Sequence, residues 1–229
     1  MPTARIFIVR HGETDANRQE IIQGQLDTEL NAAGVEQVQL TCQALEKVPF
    51  SVAYSSDLGR AAKTAEIILT KHSGVELKKC NELRERYMGD LQGRRLSELR
   101  NTSPANVESV SDFSKRAVRW WNSIVQRHVL SVQQEELETP LNILVTTHGG
   151  LIRILLQGLI GSRKLRWGQG VKLGRCLNAS VTVINLEGNG KGEVVSFADT
   201  THLNVELVEV NADTVAEDVV DDTGGGGRV

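Results

Sequence analysis

A chain of 229 residues can bury a full-sized core without disulfides or metal, and 40% hydrophobic with 24% charged residues is the balance of an ordinary globular protein. A formal net charge of −3 lacks the basic footprint of a nucleic-acid binder. Cys42, Cys80 and Cys176 are odd in number and widely spaced, which argues against a disulfide framework or zinc-finger spacing and fits reduced thiols.

Taken in chain order, the first element is a β-branched apolar run at 5–9, too short for a secretory leader or a membrane span. It delivers Arg10-His11-Gly12-Glu13-Thr14. Val35, Val38, Cys42 and Leu45 then recur at helical steps, which predicts a helix within 31–47. A second strand is predicted at 51–55. Asp57 is placed to cap a helix carrying Leu58, Ala61, Ala65 and Ile68 on one face. The polar segment 93–112, with Pro104, is expected to be a loop or lid. Asp112 is expected to cap a helix with Phe113, Ala117, Trp120, Ile124 and Val125 inward and Trp121 half-buried.

A third apolar run at 142–147 delivers His148-Gly149-Gly150, which opens a helix at 151–159; that helix is interrupted by Arg153 and Gln157 and is no membrane span. Strands at 180–186 and 193–198 follow. The acidic, glycine-rich 211–229 cannot bury enough apolar area to order itself and is expected to be a disordered tail behind a single domain at 1–210. Strands alternating with helices, two of them apolar on both faces, predict an α/β fold: a three-layer αβα sandwich around a mostly parallel central sheet. The expected setting is cytoplasmic, with the nucleus also open, and without membrane association.

In open α/β sheets ligands bind beyond the carboxyl ends of the strands. That rule brings Arg10, His11, Arg60 and His148 to one rim. A phosphoryl group needs such surroundings, since forked guanidinium donors match its oxygens. Glycines after each histidine let backbone N–H groups approach an anion, and the helix start at Gly149 adds its dipole. A neutral imidazole can attack phosphorus without first losing a proton. The leaving alkoxide needs a general acid, for which Glu82, Glu85 and Asp90 all qualify. The bland alternatives are a solvated loop for Arg84, Arg86, Arg94 and Arg95 and structural roles for His72, His128 and His202.

Arg10-His11-Gly12-Glu13-Thr14 with Asn17, then Gln23-Gly24-Gln25-Leu26-Asp27 and Leu30 with Gly34, resembles the histidine phosphatase superfamily in its phosphoglycerate-mutase-like branch. So do Ser55-Ser56-Asp57-Leu58 with Arg60-Ala61 and Thr64-Ala65, and His148-Gly149-Gly150 with Arg153. These blocks stand in family order across 5–203, which a lone three-residue match would not do. The resemblance implies that His11 becomes phosphorylated, that Arg10, Arg60 and His148 hold the phosphoryl oxygens, and that Glu85 is the proton donor and later the base. It also implies that Asn17, Gln23 and Gly24 line the phosphate pocket, and that neither metal nor other cofactor is needed.

The departures from the mutases favour hydrolysis. Met88 stands where mutases of this branch have tyrosine, and Gly150 where they have asparagine. Their Trp-Arg-Arg segment is not found between 93 and 112. Glu108-Ser109 instead looks like the glutamate-serine of the phosphatases, and 83–93, 178–182 and 201–203 most resemble fungal broad-specificity phosphomonoester phosphatases. The expectation is a metal-independent phosphatase of small phosphorylated metabolites. A cofactor-dependent phosphoglycerate mutase is the runner-up, and a catalytically silent binding protein on the same fold the third reading. Substrate identity and oligomeric state stay open.

Overall fold

The computed structural model describes residues 1–99, 104–131, 139–204, 207–208 and 212–213. Strands and helices follow as β1 (Ala4–Arg10), α1 (Asp15–Arg18), α2 (Ala32–Leu45), β2 (Phe50–Ser56), α3 (Gly59–Leu69), β3 (Leu77–Cys80), α4 (Val110–Val125), β4 (Leu141–Thr147), α5 (Gly149–Gly161), β5 (Leu165–Trp167), β6 (Val181–Leu186) and β7 (Gly192–Asp199). They form one seven-stranded sheet in the order β3-β2-β4-β1-β6-β7-β5. Every neighbouring pair is parallel except those made by β6, which runs against both β1 and β7.

Alternation along the central strands feeds two cores. Ile6 and Ile8 of β1 join Val52, Ile143 and Val145 under α4 and α5. Their neighbours Phe7 and Val9 point the other way, with Ala53 and Leu144, onto α2 and α3. That is the expected three-layer sandwich, with strands apolar on both faces because both are covered.

Two helix starts differ from expectation. α4 begins three residues early, because the Ser109 hydroxyl accepts from the Asp112 N–H at 3.0 Å and leaves Asp112 as a first-turn acid. Asp57 does not cap α3. Its carboxylate takes both arms of the Arg84 fork at 2.8 and 2.6 Å, and the Gly59 N–H is met instead by Asp27, 32 residues upstream, at 2.6 Å. Trp121 is fully buried rather than half-buried. The unforeseen strands β3 and β5 are the two edges of the sheet. They are short, with charged residues such as Lys78 and Arg166, the composition by which edges avoid pairing with other chains and lose a strand signal.

The 93–112 segment is partly built: Leu96–Glu98 forms a 3-10 turn, Ile21 bridges to Arg95, and the amino end of α4 completes it. Residues 100–103 lie outside the described ones. So does nearly all of the 211–229 tail, except Ala212 and Asp213, which are buried. Among the described residues no helix is long and apolar enough to cross a membrane.

One contact fixes where the site lies. The first turn of α2 presses on the loop after β1 so closely that a Cβ on Gly34 would stand 2.0 Å from the Glu13 carbonyl oxygen, and one on Gly12 2.5 Å from that of Gly34. Gly34→Ala is therefore expected to cost about 1–3 kcal/mol, read as a lowered midpoint in denaturant unfolding; an unchanged midpoint would show that the loop can give way.

Candidate active site

β1 ends in Arg10, and His11 follows with its ring held between two neighbours. Its Nδ1 faces the Gly12 carbonyl at 2.7 Å. A carbonyl can only accept, so Nδ1 carries the proton and Nε2 keeps a lone pair. Arg60 Nε donates toward that Nε2 at 3.3 Å. Burial, then the Arg60 and Arg10 charges, hold the His11 imidazole well below its ordinary pKa, so it is neutral.

Arg60 comes from the first turn of α3 and is fully buried. Its Nη1 donates to the Leu26 carbonyl at 2.7 Å, its Nη2 to that of Gly24 at 2.8 Å. It is neither a surface residue nor a partner of Asp57. Arg10 is anchored through Nη1 to the Cys176 carbonyl at 2.7 Å, while its Nε has no hydrogen-bond partner among the described residues. His148 ends β4 and starts α5; its ring centroid lies 5.2 Å from that of His11, and neither of its ring nitrogens has such a partner. Burial, then Arg60, His11 and Arg10, push its pKa well down too. Buried donors without partners are uncommon in folded proteins, and here they belong to the residue before His11 and to the ring beside it.

Among the acids that sequence left open, the structure brings Glu85 to the rim. It is buried, and its two oxygens accept from the N–H groups of Arg86 at 3.0 Å and Gly150 at 2.9 Å. Glu82 and Asp90 are exposed in the 3-10 turns that flank it. Burial raises the Glu85 pKa to about 7, with Asp213 adding to the rise and the two N–H bonds opposing it.

Around this set, Asn17 Oδ1 accepts from the Thr14 N–H at 3.1 Å and from Asn178 Nδ2 at 3.2 Å. Asn178 also donates to the His11 carbonyl at 3.0 Å. Gln23 Oε1 accepts from the hydroxyls of Thr14 and Thr28 at 2.9 and 2.6 Å. The backbone N–H groups of Gln23 and Gly24 both reach Asp213. Gly149 is buried as the first residue of α5, and the next N–H, that of Gly150, is committed to Glu85. All nine expected site residues thus lie around one rim of the sheet.

Sequence reasoning missed three things. Arg86 is buried and donates to the Glu108 carbonyl at 2.8 Å, so it is no solvated loop residue. Asp213 sat in a stretch whose composition hid it. Arg116, on α4, donates to the carbonyls of Glu82 and Arg84 at 2.8 Å and of Glu85 at 3.2 Å, and pairs with both oxygens of Glu108 at 3.0 and 2.8 Å. Its place 31 residues from Glu85 gives no local signal. Arg116→Met should let the Glu85 loop shift and lower kcat by about 10–100-fold, on the scale of a misplaced reacting group. Steady-state kinetics beside a thermal melt would check this; a melt that collapses with kcat would mark a merely structural arginine.

Among the described residues no group of three or more His, Cys, Asp or Glu side chains is arranged to hold a metal ion. The model for the histidine phosphatase superfamily (branch 1) matches residues 6–200. A phosphoglycerate mutase-like protein of Arabidopsis thaliana is 35% identical over 210 residues, 87% of each chain. A broad-specificity phosphatase of Saccharomyces cerevisiae is 32% identical over 209 residues, again 87% of both. The crystal structure of a phosphoglycerate mutase from Bacillus anthracis matches with a TM-score of 0.71 at 28% identity, over 87% of this chain and 94% of that one. With the fold, the two histidines and the buried arginines already in hand, a match over most of its length leaves one conclusion: the chain belongs to the histidine phosphatase superfamily, branch 1.

Proposed function

We propose that the protein is a metal-independent phosphomonoester hydrolase of small phosphorylated molecules, working through a phosphohistidine on His11. The observation that carries this is the His11 tautomer: Nδ1 is bound to the Gly12 carbonyl, and the Nε2 lone pair is left toward Arg60, with unpartnered buried nitrogens on Arg10 and His148 beside it. Nε2 attacks phosphorus while Arg10, Arg60 and His148 take up the charge on the transferring oxygens. The P–O bond to the alcohol breaks, and the leaving oxygen receives the Glu85 proton. The resulting Glu85 carboxylate then removes a proton from water, which attacks the phosphohistidine and frees His11 and inorganic phosphate. Asn17, Gln23, Gly24 and Gly149 shape the walls of the pocket. The relatives named as phosphatases support hydrolysis over transfer to a second phosphate ester.

The test is turnover of p-nitrophenyl phosphate in EDTA, with acid-labile, base-stable phosphate trapped on the protein by a rapid quench. EDTA-resistant release with a label at His11 is expected. Loss of activity in EDTA would refute metal independence. Interconversion of phosphoglycerates primed by 2,3-bisphosphoglycerate, without phosphate release, would favour a mutase. Inactivity toward every ester tried would leave a binding protein.

A further inference from the structure

Asp213 lies in the acidic, glycine-rich stretch, yet only 3% of it is exposed. Its Oδ1 accepts from the backbone N–H groups of both Gln23 and Gly24, at 2.8 Å each. Two consecutive N–H groups converging on one oxygen make an anion nest, and Gly24, at φ +50°, supplies the left-handed step that such a nest uses. Next to it Ala212 packs, buried, with Ile22, Met88, Leu91 and Leu99. A charged contact therefore holds Asp213 to the Gln23–Gly24 loop, and an apolar one packs Ala212 with Ile22 of that loop and with the 88–99 segment.

The nest and the phosphoryl cradle are different donor sets. Arg10 Nε and both nitrogens of His148 have no hydrogen-bond partner among the described residues, whereas the N–H groups of Gln23 and Gly24 are already taken. Arg60 stands between them, with Nε toward His11 and Nη2 on the Gly24 carbonyl. The loop that Asp213 binds touches both Arg60, through the Gly24 carbonyl at 2.8 Å, and the Glu85 carbonyl, through Gln25 Nε2 at 3.0 Å, and the Asp213 charge is felt at Arg10, at Arg60 and at Glu85.

We propose that Asp213 is a specificity-determining residue: its carboxylate fills the Gln23–Gly24 nest, and the site thereby prefers phosphomonoesters of uncharged alcohols over those whose alcohol portion carries a second acidic group. This rests on the hydrolase reading above. An acidic alcohol portion meets a like charge and finds the Gln23 and Gly24 N–H groups occupied. A hydroxyl there can instead donate to the carboxylate.

Glycerol 3-phosphate and 3-phosphoglycerate test this, since they differ only in a hydroxymethyl group against a carboxylate. The full chain, Asp213→Asn and Asp213→Ala would be compared by the ratio of kcat/KM for the two compounds. Wild type should prefer glycerol 3-phosphate by about tenfold or more, and Asp213→Ala should raise the relative rate on 3-phosphoglycerate by a similar factor, mainly through KM. Asp213→Asn should fall between them. A ratio that stays the same in Asp213→Ala overturns the proposal, whether both rates rise together, as for a simple lid, or fall together, as for a residue of the chemistry. If wild type hydrolyses neither ester, the hydrolase reading falls separately. Calorimetric dissociation constants of the two compounds then decide on Asp213, by the same ratio.

Discussion

His11→Ala is expected to lower kcat/KM on p-nitrophenyl phosphate by about ten-thousandfold or more, and to abolish the trapped phosphohistidine. The effect should be this large because nothing nearby can replace the lone pair. The adjacent guanidinium groups have none to give, and His148, its ring centroid 5.2 Å from that of His11, is expected to remain a donor to the phosphoryl oxygens. Arg60 Nε would lose its acceptor, but its other nitrogens remain held by Leu26 and Gly24, so the pocket should keep its shape and still bind inorganic phosphate. A variant within tenfold of wild type would remove His11 from the nucleophile's role. Loss of phosphate binding together with activity would show instead that the ring is structural.

The second large effect is on Glu85, and its sign follows from burial. The folded pKa is raised to about 7, so the carboxyl is protonated, and able to donate, below that pH. The acid-side limit set by His11 lies well below the ordinary histidine value, since that ring is held neutral. The profile of kcat/KM should therefore be flat on the acid side of neutrality and fall as pH rises through about 7. Glu85→Gln should remove that fall and lower kcat on alkyl phosphates by about 100- to 10,000-fold. The loss should be smaller for p-nitrophenyl phosphate, whose leaving group departs without help. An unchanged profile in Glu85→Gln would move the acid elsewhere, and Asp90 would be the next to replace.

The sheet was legible because its central strands are β-branched runs covered on both faces, and that signal survives without knowledge of partners. Its edges were not. Leu77–Cys80 and Leu165–Trp167 are short and carry charge, since an exposed edge must resist pairing with other chains. The site followed the same division. His11, Arg60 and His148 stand where a strand end or a helix start delivers them, so position in the chain reveals position in the fold. Glu85 does not: it sits between 3-10 turns, and what separates it from Glu82 is a long-range bond to the Gly150 N–H. Helix caps failed for a related reason. Asp57 and Asp112 are good local caps, but an arginine fork took one and an earlier serine displaced the other. Asp213 was least visible, because composition describes what a segment cannot do alone and says nothing of a nest waiting about 190 residues upstream.

The position of β1 bears on when the protein first becomes able to act. This strand delivers the nucleophile, yet it lies between β4 and β6, and among the described residues its ladder partners all lie at 141 or later. On the ribosome His11 emerges well before either neighbouring strand, since β4 starts at Leu141 and β6 at Val181. The wall formed by Cys176 and Asn178 arrives later still, because β6 runs backwards and brings its beginning, rather than its end, to the catalytic rim. Nascent chains that stop short of Cys176 would hold the two histidines, the arginines and the glutamate but lack the carbonyl that anchors Arg10 and the amide that holds the His11 carbonyl. Activity should therefore appear only after Cys176, Asn178 and β6 have been made, and not when β4 first pairs with β1.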